Sequence, residues 1–360
     1  MSELKWGALR PSKVRARSGS NVAVECKGKY LVHPSSRNTV RTGIISHLTP
    51  VDMRDSHVLI LMCSYNGERF VGEQIESFKL QSHTNWSLVV SDDGSQDGTL
   101  AALKSAMDKA YASRLNVIQG PAVGFARNFL SLTCREDLQA SYFAWSDQDD
   151  IWVHNKLEAA VSWLKTVPQG VPALYCSRTQ HIDELGESIG FSPRFNCVPC
   201  FKNALVQSVG GGNTMVFNSA ARQLLVEAGP DVDVPFHDWW LYQLVSGAGG
   251  AVYYEPEVTV LYRQHMANQV GSNAGWRSRV RRLVDMYRGD FAQWNSKNIA
   301  AIERMSKVLT TENKEILKAF AEARTSRLSG RVTGIIKAGV FRQTVLGNIS
   351  LALAVVANKI

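Results

Sequence analysis

The chain has 360 residues, enough to bury a full core in one large domain or two smaller ones, and its 45% hydrophobic and 20% charged content is that of an ordinary globular protein. The net charge of +8 is unevenly spread: residues 1–57 hold ten Lys/Arg against four Asp/Glu, residues 58–274 hold 14 against 22, and residues 275–360 hold 16 against six. An acidic centre makes a poor groove for a phosphate backbone, so nucleic-acid binding by the core is not expected, whereas basic flanks suit an anionic membrane surface.

Residues 1–52 are rich in Ser, Arg and Lys without sustained periodicity and read as an irregular or disordered arm. Met53, just before the first clear strand, reads as a candidate for the true initiator. Val58 to Cys63 is a continuous apolar run of strand length, as expected of a strand buried on both faces. The turn Ser64-Tyr65-Asn66-Gly67 follows, then a helix from Glu68 to Leu80 with Phe70, Val71, Ile75 and Phe78 inward. Ser87 to Val90 forms a second strand, ending at Ser91-Asp92-Asp93-Gly94-Ser95, and Leu100, Leu103 and Met107 mark the next helix. Leu115 to Ile118 and Tyr142 to Trp145 make a third and fourth strand, with a helix from Asn155 to Lys165 behind the fourth. Alternating strands and helices predict an α/β fold with a mostly parallel sheet, and ligands gather at the carboxyl ends of such strands.

Beyond these units, Asn213 to Phe217, Ala251 to Tyr254 and Val258 to Tyr262 read as strands. Gly210-Gly211-Gly212 marks closely approached backbone and carries no phosphate-loop pattern. After Trp276 the chain turns basic and helical, with Arg277, Arg279, Arg281 and Arg282 ahead of helical segments around 298–326. The organisation is therefore an arm over 1–52, an α/β domain over 53–275 and a basic helical tail over 276–360. In the tail, Arg331, Lys337 and Arg342 alternate with Ile335, Ile336, Val340, Phe341, Val345 and Leu346; such a mixture either lies in a headgroup region or packs on the domain. No window offers 18 apolar residues free of charge, so no spanning helix is expected. The six cysteines are scattered, one CxxC pair (Cys197, Cys200) lacks a partner pair at zinc spacing, and reduced cytoplasmic thiols are expected.

The densest chemistry lies at Asp147-Gln148-Asp149-Asp150, where the fourth strand stops. Carboxylates packed this closely repel unless a cation or solvent takes up the field, and a hard divalent metal shared with phosphate oxygens does so. The other reading is an acidic turn with Asp150 capping the following helix.

Ser64-Tyr65-Asn66-Gly67-Glu68, Asp92 to Thr99, Ser146 to Trp152, His237-Asp238-Trp239-Trp240 and Tyr262-Arg263-Gln264-His265, in this order and spacing, resemble family 2 glycosyltransferases, the last two the rhamnosyltransferase-like branch. The resemblance covers roughly residues 56–275. It implies a GT-A fold, a nucleotide-sugar donor, a divalent metal (Mn²⁺ or Mg²⁺) and inversion at the anomeric carbon. Carried over by position, it implies Tyr65 and Glu68 in the nucleoside pocket, Asp93 on the pyrimidine, and Asp147 and Asp149 as the DxD pair with Asp149 the metal ligand. It further implies Asp238 as general base, His265 near the diphosphate or metal, and Arg127 near the donor. Trp239 and Trp240 either desolvate Asp238, offer a flat face to the acceptor sugar, or pack in the core. The expected activity is transfer of a sugar, L-rhamnose first, to a lipid-linked or cell-surface glycan on a polyprenyl-diphosphate carrier. Its expected place is peripheral, at the cytoplasmic face of the membrane. A sugar-phosphate nucleotidyltransferase would want basic residues in the Ser64 to Glu68 turn, and that turn has none; a non-catalytic assembly protein on the same scaffold is the remaining alternative.

Overall fold

A computed structural model describes residues 56–265 and 289–360; the arm, Met53 and the arginines from Arg277 to Arg282 lie outside these residues. The chain begins β1 (Val58–Ser64), α1 (Val71–Lys79), β2 (Trp86–Asp92), α2 (Thr99–Ala106), a short α3 (Asp108–Tyr111), β3 (Leu115–Gln119), α4 (Phe125–Cys134) and β4 (Tyr142–Ser146). It continues with β5 (Ile151–Trp152), α5 (Lys156–Leu164), β6 (Ala173–Ile182), β7 (Ser188–Phe191), α6 (Phe201–Ala204), β8 (Val216–Asn218), α7 (Ser219–Ala228), α8 (His237–Gly247) and β9 (Ala251–Arg263). Helices Asp290–Arg304, Thr311–Thr325, Leu328–Ala338 and Val345–Val356 follow.

One sheet runs in the order β3-β2-β1-β4-β8-β6-β9-β5, with β7 on β6. β1 pairs in parallel with both β2 and β4, while β8 runs antiparallel between β4 and β6, so six strands share one direction. This is the α/β architecture with a mostly parallel centre that a GT-A fold requires. Crossovers leave β1 toward β2 on one side and reach β4 on the other, so the crevice for a ligand opens at the carboxyl ends of β1 and β4.

Strand alternation divides the core. Val58, Ile60 and Met62 pack with Val71, Ile75 and Phe78 of α1 and Leu157 and Val161 of α5. Leu59 and Leu61 point the other way, into a core shared with Phe129 of α4, Trp240 and Leu241 of α8, and Phe291, Phe320 and Leu351 of the C-terminal helices. The C-terminal helices therefore bury their inner faces against the same core as α8.

Several expected details change in three dimensions. Leu100 is exposed on α2, and Leu103 and Met107 anchor that segment with Ala102 and Ala106 beside them. The Asn213 stretch is a 3₁₀ turn (Gly212–Thr214) before β8. The two expected strands after Ala251 are a single β9, whose pairing with β6 slips near Pro256, where the missing N–H cannot serve the ladder. Arg331 is buried and donates to the Val355 carbonyl, so it ties two helices together and faces no headgroups.

Candidate active site

The turns after β1, β2 and β4 are laced into one unit. Ser64 Oγ donates to Asp92 Oδ1 at 2.7 Å, and Asp92 also accepts from the Ser95 backbone and hydroxyl. The amides of Asn66, Gly67 and Glu68 donate to the side chains of Ser95, Thr99 and Asp97. Across the switch point, Gln148 Nε2 donates to the Tyr65 carbonyl (3.0 Å) and Gln148 Oε1 accepts from the Tyr65 amide (2.9 Å). A Cβ on Gly67 would lie 2.2 Å from Gln148 Oε1, so only glycine lets this side chain close over the turn.

These turns border a cavity of about 1810 Å³. Among its lining residues are Tyr65, Asp93, Asp147, Asp149, Asp238 and His265. Asp149 Oδ2 and His265 Nε2 lie 2.7 Å apart, with His265 against the Phe70 ring at 5.1 Å between centroids. Asp147 is pushed up to about 7 by burial, then by the negative charge of Asp149 and Asp238, with Lys156 opposing. Asp93, whose Oδ1 accepts from the Ala122 amide, is raised chiefly by burial.

Asp238 sits in the first turn of α8. Its Oδ1 accepts from the Trp239 amide at 2.6 Å and its Oδ2 from the Gly212 amide at 3.1 Å. Burial raises it to about 6, against the pull of those two bonds. A carboxylate in that range is ionised near neutrality yet a better base than a free aspartate.

The three carboxylates of the acidic run separate by direction. Asp150 turns inward, accepting from Asn213 Nδ2 (2.6 Å) and the Arg263 amide (3.2 Å). It precedes β5 and caps no helix, which corrects the capping expectation; α5 begins later, after Asn155. Lys156, fully buried, donates to the Asn213 carbonyl and lies 3.4 Å from the centroid of the Trp152 ring; burial holds its ammonium well below the ordinary lysine range, opposed by the negative fields of Asp150 and Asp147. Arg263, also buried, donates to the Asp149 carbonyl and pairs with Glu73 at 2.6 Å, fixing the acidic turn to α1.

A divalent cation fits this arrangement. The crowded carboxylates need a counter-charge, and Asp149 with His265 presents one oxygen and one nitrogen at a spacing two ligands of one ion can adopt. No cluster of three His, Cys, Asp or Glu ligands occurs among the described residues, so remaining positions would fall to donor oxygens, as is usual for Mg²⁺-type sites.

Other expected site residues lie elsewhere. Arg127 makes two contacts with Asp231, through its carbonyl and carboxylate, and does not line the cavity. Glu68 turns to the Gly98 amide and works as a loop clamp. Trp240 is fully buried and offers no face to a sugar, while Trp239 grazes the cavity with its Nε1 bonded to the Ala204 carbonyl. The sequence assigns no role to Gln148, Lys156, Asn213 or Arg263. Gln148 and Arg263 stand inside the quoted motifs, and Lys156 and Arg263 are further marked by polarity, a lone Lys opening a largely apolar helix and a lone Arg closing an apolar strand.

The sequence matches the family model described as glycosyl transferase family 2 over residues 59–191. It is 30% identical over 241 residues to the dTDP-rhamnosyl transferase RfbG of Shigella flexneri, covering 62% of this chain and 78% of that protein. It is 36% identical over 112 residues to the UDP-Glc:alpha-D-GlcNAc-diphosphoundecaprenol beta-1,3-glucosyltransferase WfgD of Escherichia coli, covering 31% of this chain and 42% of that protein. Among solved structures, S. aureus TarS 1-349 in complex with UDP-GlcNAc superposes with a TM-score of 0.47 at 14% identity, over 78% of this chain and 89% of that one.

Proposed function

The chain belongs to glycosyl transferase family 2, and from that premise we propose an inverting, metal-dependent enzyme that transfers L-rhamnose from a nucleotide-sugar donor to a hydroxyl of a lipid-linked glycan. The observation that carries this reading is convergence: Asp147, Asp149, His265 and Asp238, from three separate parts of the chain, line one cavity at the switch point of the sheet. The name of the Shigella relative supports rhamnose, and the name of the E. coli relative supports a diphosphate-lipid acceptor. Basic flanks support a peripheral position on the cytoplasmic face of a membrane; among the described residues no helix is long and apolar enough to cross one.

Each residue then has a role. Asp93 and the backbone of the Tyr65 turn hold the nucleoside at the ends of β2 and β1. Asp149 and His265 would hold Mn²⁺ or Mg²⁺, which when bound neutralises the charge of the leaving diphosphate. Asp147 lies beside them on the donor side. Asp238 accepts the proton of the acceptor hydroxyl as its oxygen attacks the anomeric carbon. The new bond forms on the face opposite the departing diphosphate, the old C–O bond breaks, and configuration inverts.

A thermal-shift panel of dTDP- and UDP-sugars, each with and without Mn²⁺ or Mg²⁺, tests this reading. A shift of several degrees for one nucleotide sugar, present only with metal, is expected. No metal-dependent shift with any member of the panel counts against it.

A further inference from the structure

The last helix, Val345–Val356, contains no charged residue. Its inner face, formed by Leu351, Ala354 and Val355, is buried. Its outer face is apolar as well: Leu346, Ile349, Leu353 and Val356 recur at three- and four-residue spacing and are each more than half exposed, Ile349 at 52% being the least. A helix with apolar stripes on two faces, interrupted only by Asn348 and Ser350, requires a second apolar environment for the outer stripe. A contiguous stripe of this kind marks an interaction site, unlike single exposed leucines.

The stripe is continuous with the site already described. Leu346, Ile349 and Leu353 line the same cavity as Asp149 and Asp238, joined by Phe291 and Trp294. Arg342, three residues before the helix, is on that wall too. Its guanidinium lies 4.6 Å from the centroid of the Phe291 ring, and its Nε donates to the Val206 carbonyl at 3.2 Å. One cavity thus combines an acidic end, a held guanidinium and an apolar strip.

We infer that Leu346, Ile349 and Leu353, with Arg342 beside them, form the subsite for the isoprenoid diphosphate of a lipid-linked acceptor. This rests on the proposed function and adds to it the residues that read the carrier. The hydrocarbon lies along the strip, where apolar surface leaves water. The diphosphate meets Arg342, whose planar fork of N–H donors suits phosphate oxygens. A water-soluble glycan would leave the strip uncovered. A second copy of the chain would cover the strip without using the guanidinium or the continuity with the cavity.

The test is a tryptophan-fluorescence titration with farnesyl diphosphate below its micelle concentration, alongside inorganic pyrophosphate and farnesol, all without metal. Farnesyl diphosphate is expected to bind at least tenfold tighter than either fragment. Ile349→Asp should reduce its affinity to that of pyrophosphate, and Arg342→Gln to that of farnesol. Leu346→Gln, milder and at an exposed position, stands in should Ile349→Asp fail to fold. Equal affinity for farnesyl diphosphate and pyrophosphate, or unchanged affinity in all three variants, overturns the inference. So does a dimer in sedimentation that Ile349→Asp dissociates, which assigns the strip to a second copy. Loss of binding to phosphatidylglycerol vesicles in Ile349→Asp, with farnesyl diphosphate affinity intact, assigns it to a bare membrane surface and also overturns it. Binding of dTDP and UDP with Mn²⁺ is measured on the same samples. Failure there, with farnesyl diphosphate bound as expected, sinks the transferase reading and not the subsite.

Discussion

Gln148 and Tyr65, 83 residues apart, exchange two hydrogen bonds, the Gln148 amide acting toward the Tyr65 backbone as a neighbouring strand would. This side chain closes the gap between the ends of β1 and β4, beneath the place assigned to the donor. Gln148→Ala removes the partners of both the Tyr65 backbone N–H and its carbonyl. The expected result is a tenfold or greater loss of nucleotide affinity with a fall in stability of about 1–2 kcal/mol. Calorimetric titration and denaturant unfolding of the same variant check both.

Asp238 raised to about 6 gives the reaction an acid limb. The base must be ionised, so kcat/KM should fall tenfold per unit as the pH drops below about 6 and level off above it. Asp238→Asn should lower kcat by at least about a thousandfold and leave donor affinity within a few fold, in the range expected for removing a catalytic base. A limb centred near 4 would show that burial does not tune this group, and near-normal turnover in the variant would remove it from the mechanism.

Asp149 and His265 share one role in the proposed reaction, so their variants should resemble each other in kind and differ in degree. Asp149→Asn should abolish the tightening of nucleotide binding by Mn²⁺. His265→Ala should raise the Mn²⁺ concentration needed for half-maximal activity by about tenfold, the scale of losing a supporting metal contact. Titrating nucleotide at fixed Mn²⁺ concentrations separates these outcomes; identical binding with and without metal in the parent protein would discard both.

Lys156 is buried within the fields of Asp150 and Asp147, which favour its charged form against the cost of burial. Lys156→Met should destabilise the fold by about 1–3 kcal/mol, because the buried Asn213 carbonyl loses its donor and Asp150 loses a neighbouring cation. Adding Asp150→Asn should recover part of that loss, and the double-mutant cycle reads the coupling directly. Strict additivity in urea unfolding would mean that the two charges do not interact.

Arg127 supplies a control. Its pairing is with Asp231, whose side chain is 87% exposed, and pairs of this kind contribute only about 0–1 kcal/mol. Arg127→Ala should leave donor KM unchanged and move the unfolding midpoint slightly. A tenfold rise in donor KM would return this residue to the site.

The local order of this fold was legible in the chain because it depends on neighbours in sequence. Runs such as Val58 to Cys63 are strand-length and apolar, and polar turns interrupt them at the ends where an α/β sheet gathers ligands. Direction was not legible. Within Asp147 to Asp150, sequence alone could not say that Asp149 faces His265, 116 residues away, while Asp150 turns inward to Asn213 and Arg263. That choice depends on β9 packing beside β6 and on β5 pairing with β9, which bring these residues to the turn. For the same reason Arg127 moved from an expected donor contact to an exposed ion pair, and Trp240 took the core position among its three expected roles. Residue type and spacing determined which chemistry the chain carries; long-range strand pairing decided which atoms face the cavity, because a side chain's surroundings are set by the partners its element finds.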